Sequence, residues 1–156
     1  MVAKISTGGN MFGALAYNQN KVDSEEAKVL FSNRMLLSED GNFSISECMR
    51  SFEMQMPVQL STKKPILHIS INPHPEDKLS DSQLSDIARE YMQKLGYGDQ
   101  PYLVYKHEDI WTAIDDVVSL LLRSNSVSSD ILSVSSDMRL SLSLRAASDS
   151  SMRSRW

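Results

Sequence analysis

The composition of this chain changes abruptly near residue 110, and the change limits which part can fold in the ordinary way. All six glycines, all five prolines, every lysine and every glutamate lie in residues 1–110. Residues 111–156 contain none of these, and serine occupies 14 of the 38 positions from Ser119 onward. Because turns in globular domains depend on Gly and Pro, we expect residues 1–110 to form one folded domain and 111–156 to be a divergent, partly disordered tail. We interpret the tail as the product of a frame change or a truncated gene, with a genuine Ser-rich tail or a small subdomain as the alternatives.

The global properties are those of an ordinary globular protein. Apolar residues make up 41% and charged residues 23%, which is enough to build a core. The net charge is −4, so binding to nucleic acid requires a local basic patch. The single Cys48 excludes an internal disulfide and favours a reducing, intracellular location. With no signal peptide and no apolar run near the roughly 18 residues of a membrane span, we expect a cytoplasmic protein without a membrane partner.

Strand and helix patterns alternate along residues 1–110. Strands are predicted at 2–6, 27–32, 65–72 and 101–106, and helices at 11–21, 44–56 and 80–95. The last helix has the clearest signals, since Ser80 and Gln83 have the spacing of a capping box and Gly96 follows the final turn. The segment PILHISIN has one apolar face and one mixed face. We therefore predict an α+β fold in which an antiparallel-rich or mixed sheet of four to five strands carries two to three helices packed on one side.

Two positions in this domain have side chains suited to chemistry. His107 ends the last predicted strand and precedes two acidic residues, which suits a metal or acid–base site. Successive strand side chains face opposite ways, so these three cannot all bind one ion, and a solvated strand end is the alternative. Tyr17 lies on the first predicted helix, with Lys21 one turn later. A tyrosine there can attack a phosphodiester, and the alternative is a core aromatic that packs against the sheet.

Three segments of residues 1–110 carry a resemblance to a known family. They read GALAYNQNKV, LHISINPHPEDKLSD and YLVYKHEDI, in this order along the chain. With their approximate spacing, they resemble the N-terminal domain of relaxases, the mobilisation nucleases of mobilisable plasmids and conjugative transposons in the His-hydrophobe-His superfamily. The resemblance covers about two thirds of the chain and stops near residue 110.

The resemblance implies an activity and a role for several residues. Relaxases nick one DNA strand at an origin of transfer by tyrosine attack, which leaves a covalent 5′-phosphotyrosyl link. Tyr17 matches the nucleophile of the family, His107 matches the first histidine of its metal motif, and Asp109 matches an acidic position that can orient a histidine. His68 and Ser70 match a segment that lines the active-site side of the sheet. The implied cofactor is a divalent metal, Mg²⁺ or Mn²⁺.

The sequence departs from the family pattern at the remaining metal ligands. A His-hydrophobe-His pair is expected near residues 114–116, where this chain has Ile114-Asp115-Asp116. The two aspartates are weak metal candidates, because hard cations such as Mg²⁺ prefer oxygen ligands. Residues 117–120, VVSL, resemble the end of the strand that carries this pair in the family. We therefore expect impaired nicking by a chain that is interrupted inside its metal motif.

The expected partner is single-stranded or origin-of-transfer DNA, together with accessory mobilisation proteins. Because the net charge is negative, local lysines would contact the DNA. The candidates are Lys4, Lys21, Lys63 and Lys64. Two alternative functions stay open: a catalytically inactive DNA-binding remnant or accessory module, and a small structural or interaction domain with no DNA role.

Overall fold

The structure, a computed structural model, describes residues 2–36, 44–58, 62–74, 77–108 and 116–122. Its elements are β1 (Val2–Gly8), α1 (Met11–Asp23), β2 (Ala27–Asn33), α2 (Ile45–Met54), β3 (Ile66–Asn72), α3 (Asp81–Lys94), β4 (Tyr102–His107) and β5 (Asp116–Leu122). For β5 the backbone alone is described. The predicted alternation of four strands and three helices is confirmed by β1 to β4 and α1 to α3, and β5 is an additional strand. None of the described helices combines the length and hydrophobicity needed to cross a membrane.

The five strands form one antiparallel sheet with β5 at its centre. The strand order is β1-β3-β5-β4-β2, and every neighbouring pair is antiparallel. The predicted α+β class with an antiparallel sheet is therefore confirmed. β5 pairs with both β3 and β4, so a strand from beyond residue 110 joins the two halves of the sheet. Composition did not predict this strand, because serine dominates the segment that follows it.

Apolar side chains cover both faces of the sheet, so the helices lie on two sides. On one face, α3 packs over alternate residues of β3 and β4, including Ile69 and Val104. On the other face, α1 and α2 pack over Leu103 and Tyr105 of β4. The expectation of helices on one side only is wrong, because residues 102–105 are all buried and a strand buried on both faces needs a cover on each.

Capping and turn residues set the helix ends that the sequence indicated. At α3, the Ser80 hydroxyl accepts a hydrogen bond from the Gln83 backbone, and the Gln83 side chain accepts one from the Ser80 backbone. Gly96 follows α3 with a φ of +80°, a left-handed conformation that glycine adopts without strain. At α1, the Asn10 side chain accepts a hydrogen bond from the Gly13 backbone at 2.9 Å. These local bonds fix where α1 and α3 begin, and so which of their residues face the sheet.

The thiol of Cys48 provides a test of the packing of α2 on the sheet. Cys48 is 2% exposed, and burial, with a smaller effect from Glu47, raises its pKa from 9.0 to about 11. A rise of this size lowers the thiolate fraction at pH 8 roughly 100-fold. We therefore expect Cys48 to react with an aromatic disulfide reagent at least that much more slowly in the folded protein than in concentrated urea.

The matched control for this measurement is Ser46→Cys in a Cys48→Ala background. Ser46 is exposed on the same helix, so its replacement presents a thiol to solvent at nearly the same place in the fold. We expect this thiol to react at the rate of an unfolded chain. Equal reactivity of the two cysteines in the folded protein would contradict the packing of α2.

Candidate functional site

One face of the sheet is open over β1 and β3, and its side chains are polar. Lys4 and Ser6 of β1 are exposed, and His68 and Ser70 of β3 are half-buried. The register places Lys4 opposite Ser70 and Ser6 opposite His68. These four residues lie on the side of the sheet that carries α1 and α2, because their neighbours along each strand pack against α3. We call this surface the open face.

Tyr17 is the exposed tyrosine of the chain. All five tyrosines are in the described residues; the other four are at most 4% exposed, whereas Tyr17 on α1 is 60% exposed. The Lys21 ammonium lies 5.5 Å from the centre of the Tyr17 ring and 3.9 Å from a carboxylate oxygen of Glu26. The alternative interpretation of Tyr17 as a core aromatic is therefore wrong. More than half of its surface is therefore accessible from solvent.

His107 lies beneath the same helix and contacts the residue that follows Tyr17. The imidazole is 6% exposed, and its Nε2 lies 3.0 Å from the side-chain oxygen of Asn18, which is 1% exposed. The Asn18 amide nitrogen donates in turn to the backbone carbonyl of Ala14 at 2.9 Å. This contact brings together α1 and the end of β4, the two elements that hold the predicted nucleophile and the first predicted metal histidine.

Sequence reasoning did not identify Asn18 as part of the site. The signal was present, because asparagine is a poor helix former and lies here in the middle of α1. A polar residue in a helix interior, away from the caps, is often explained by a hydrogen bond to another part of the fold. The partner itself could not be found from spacing, since His107 is 89 residues away.

The acidic residue after His107 faces the opposite side of the sheet. Glu108 accepts from Lys28 at 3.3 Å and from Lys106 at 3.4 Å, while Asp81 of α3 accepts from the same two lysines at 2.7 and 3.3 Å. These hydrogen bonds lower the pKa of both carboxyl groups, with Lys28 the largest cause for each. His107 and Glu108 therefore do not converge on one ion, as strand geometry predicted. Asp109 lies outside the described residues.

Comparison with known protein families identifies the chain. The model of the MobA/VirD2-like relaxase nuclease domain matches residues 17–115. The chain belongs to this relaxase family. The matched region begins at Tyr17, includes His107, and ends within the segment that departs from the family's histidine pattern. No curated protein and no solved structure gives a significant match.

The relaxase domain keeps His68 well apart from His107. β5 lies between their strands, and the register places His68 opposite Leu120 but His107 opposite Asp116. The two histidines are therefore separated by two strand spacings across the sheet and four residues along it. This corresponds to roughly 17 Å between their backbone positions, so the two side chains cannot bind the same ion. Burial lowers the pKa of His68, so it is a neutral hydrogen-bonding group at pH 7. Its position on the open face suits contact with a ligand that lies along the sheet.

The described residues do not form the three-histidine metal centre that the sequence resemblance led us to expect. Among them, no group of three or more His, Cys, Asp or Glu side chains is placed to hold an ion. Asp115 lies outside the described residues, and Asp116 is described for its backbone alone, where it pairs with His107. The donor set that the structure describes therefore does not fit a divalent metal held by three histidines.

Proposed function

We propose that this relaxase domain binds single-stranded DNA at an origin of transfer and that Tyr17 attacks a phosphodiester of that strand. The observation that carries the proposal is the placement of Tyr17. It is an exposed phenol on the helix that packs over β4, and the next residue is hydrogen-bonded to His107. An exposed tyrosine on a well-packed helix has the accessibility and the fixed position that a nucleophile requires.

Lysines along the open face support a path for a DNA strand. Lys63 and Lys64 are exposed just before β3. The backbone carbonyl of Lys63 lies so close to Gly9 that a Cβ atom on residue 9 would be only 2.8 Å from the carbonyl oxygen. Lys4 is exposed partway along β1, and Lys21 lies near the opposite end of the sheet, beside Tyr17. A seven-residue strand spans roughly 20 Å, so these positive charges could bind several successive phosphates despite the negative net charge.

The proposed reaction is a transesterification. The phenolic oxygen of Tyr17 bonds to phosphorus as the bond from phosphorus to the 3′ oxygen breaks. The strand downstream of the break stays on the protein through its 5′ phosphate, and the other end leaves with a 3′-hydroxyl. The proton lost by the phenol balances the proton gained by the 3′ oxygen. The nearby Lys21 ammonium adds positive charge where the phosphate must come.

We further propose that the reaction is slow in this chain. The resemblance implies a His-hydrophobe-His pair near residues 114–116, where this chain has Ile114-Asp115-Asp116. A phosphate that is attacked without full charge neutralisation keeps a high barrier, because electrostatic stabilisation is usually the largest contribution to catalysis. The test is incubation of a supercoiled origin plasmid with the protein and Mg²⁺ or Mn²⁺. Slow nicking with a covalent 5′ attachment supports the proposal.

A catalytically inactive DNA-binding remnant is the second candidate. The observation that favours it is the lack, among the described side chains, of a group that could hold a metal. Binding of origin DNA without any covalent product in the same plasmid assay would select this candidate. No binding to single-stranded DNA at low salt would instead favour a structural or interaction domain.

The proposed DNA path predicts a specific dependence on salt. Replacing Lys4 and Lys63 by Met removes two positive charges from the path. For every phosphate that is no longer neutralised, the slope of log affinity against log salt should become shallower by about 0.7 for a single strand. The matched control is Lys94→Met, which removes a charge that pairs with Glu90 on α3, on the other side of the sheet. Fluorescence anisotropy over a range of salt concentrations measures both, and equal slopes for the double variant and the control would contradict the path.

A further inference from the structure

We infer that Asn18 is a positioning residue that holds His107 in the tautomer protonated at Nε2 and ties α1 to the end of β4. The tautomer of His107 is independent of the proposed function, whereas its consequence for catalysis rests on that function. The two side chains form a buried polar pair between α1 and the end of β4. Only three polar side chains are buried among the described residues, and Asn18 and His107 are two of them.

The hydrogen bonds of Asn18 fix which of its amide atoms faces the imidazole. The backbone carbonyl of Ala14 can only accept, so the group of Asn18 that lies 2.9 Å from it must be the NH₂. The amide oxygen then lies 3.0 Å from Nε2 of His107. An amide oxygen only accepts hydrogen bonds, so Nε2 must carry the proton. In the neutral ring, Nδ1 is then the nitrogen with the lone pair.

The pair also constrains the helix that carries Tyr17. Asn18 is the next residue along α1, so its bond to β4 limits rotation and sliding of this turn of the helix over the sheet. The network of Glu108 with Lys28 and Lys106 holds the end of β4 from the opposite side. The Tyr17 hydroxyl is thus carried by a turn of helix whose other side is fixed to β4. A nucleophile that is misplaced by about 1 Å can react about 100-fold more slowly, so loss of this bond is expected to slow attack by Tyr17.

The direct test is the protonation state of the His107 ring nitrogens, measured by ¹⁵N NMR at pH 8 in protein labelled at histidine. His68→Gln and His74→Gln variants assign the three signals. We expect wild-type His107 to be protonated at Nε2 and not at Nδ1. We also expect Asn18→Leu to allow the two tautomers to mix. Asn18→Asp, which keeps an oxygen acceptor, retains the proton on Nε2.

Each result decides for or against the inference. A His107 ring protonated at Nδ1 alone in the wild type overturns it, and this measurement needs no variant to fold. An Asn18→Leu protein that folds and keeps a single Nε2–H tautomer also overturns it. If Asn18→Leu does not fold, the tautomer of His107 in the wild type and in Asn18→Asp decides the test.

The effect on catalysis is read from the rate of covalent adduct formation at saturating single-stranded origin DNA. Because Tyr17 would be less firmly positioned, Asn18→Leu should slow adduct formation at least about tenfold with little change in DNA affinity, and Asn18→Asp should recover most of that rate. An unchanged rate in a variant that has lost the Nε2–H tautomer contradicts the positioning role. If the wild type forms no adduct, the proposed function fails, and the tautomer of His107 is still decided by NMR.

Discussion

Replacing Tyr17 by Phe is expected to abolish the covalent link that we propose between this relaxase domain and DNA. The variant removes one oxygen atom from a side chain that is 60% exposed, so the fold and the lysines of the proposed DNA path stay as they are. Loss of an attacking nucleophile typically costs at least ~10³-fold in rate. The measurement is the amount of protein that migrates with labelled single-stranded DNA on a denaturing gel.

The matched control for Tyr17→Phe is Phe12→Leu. Phe12 is a second exposed aromatic on α1, at 58%, but it has no hydroxyl group. Its replacement should leave the adduct intact, whereas DNA affinity should be similar in both variants and the wild type. Continued adduct formation by Tyr17→Phe would show that another group is the nucleophile.

Restoring the His-hydrophobe-His pair is expected to produce the largest gain in activity. The change is Ile114→His together with Asp116→His, at the positions where the resemblance expects the two histidines. The backbone supports this choice for Asp116, because it pairs directly with His107 in the ladder between β4 and β5. With Mn²⁺ present, the rate of adduct formation should rise by roughly 100-fold or more, the usual scale of added charge stabilisation at a reacting phosphate.

Two controls separate a restored site from a general effect of histidine. The pair Asp115→His and Val117→His introduces the same residues one position later, which shifts them out of the register of the expected pair. The restored pair combined with Tyr17→Phe tests whether the gain uses the proposed nucleophile. A gain of equal size in the shifted pair would contradict the role of these positions. A gain that persists without the Tyr17 hydroxyl would contradict the mechanism.

Local signals in the sequence were sufficient to predict most of the elements of the fold. The capping box of Ser80 and Gln83, with Gly96 after it, located α3, and the alternation in PILHISIN located β3. These signals work because caps and strand faces depend on residues a few positions apart. The two-sided cover of the sheet was missed, although the uninterrupted apolar run of β4 is typical of a strand buried on both faces.

The candidate site was predicted only in part, because its decisive contacts join distant parts of the chain. Motif matches identified Tyr17 and His107, but the bond between Asn18 and His107 crosses 89 positions and leaves no local pattern. The separation of His68 from His107 depends on β5 lying between their strands. The resemblance of residues 117–120 to a family strand indicated part of β5, but no local signal gives its central place in the sheet, so the arrangement of the histidines could not be deduced from their order.

We propose that the exposed phenol of Tyr17 is the DNA-attacking group of this domain. The most direct measurement uses single-stranded oligonucleotides tiled across the DNA that flanks the gene, each with a 3′-S-phosphorothiolate linkage at the tested position. The thiolate leaves more readily than an alkoxide, so attack is visible even where charge stabilisation is incomplete. We predict that mass spectrometry after nuclease digestion finds a nucleotide attached to the peptide that contains residue 17. No adduct with any oligonucleotide, or an adduct on another residue, would contradict the account.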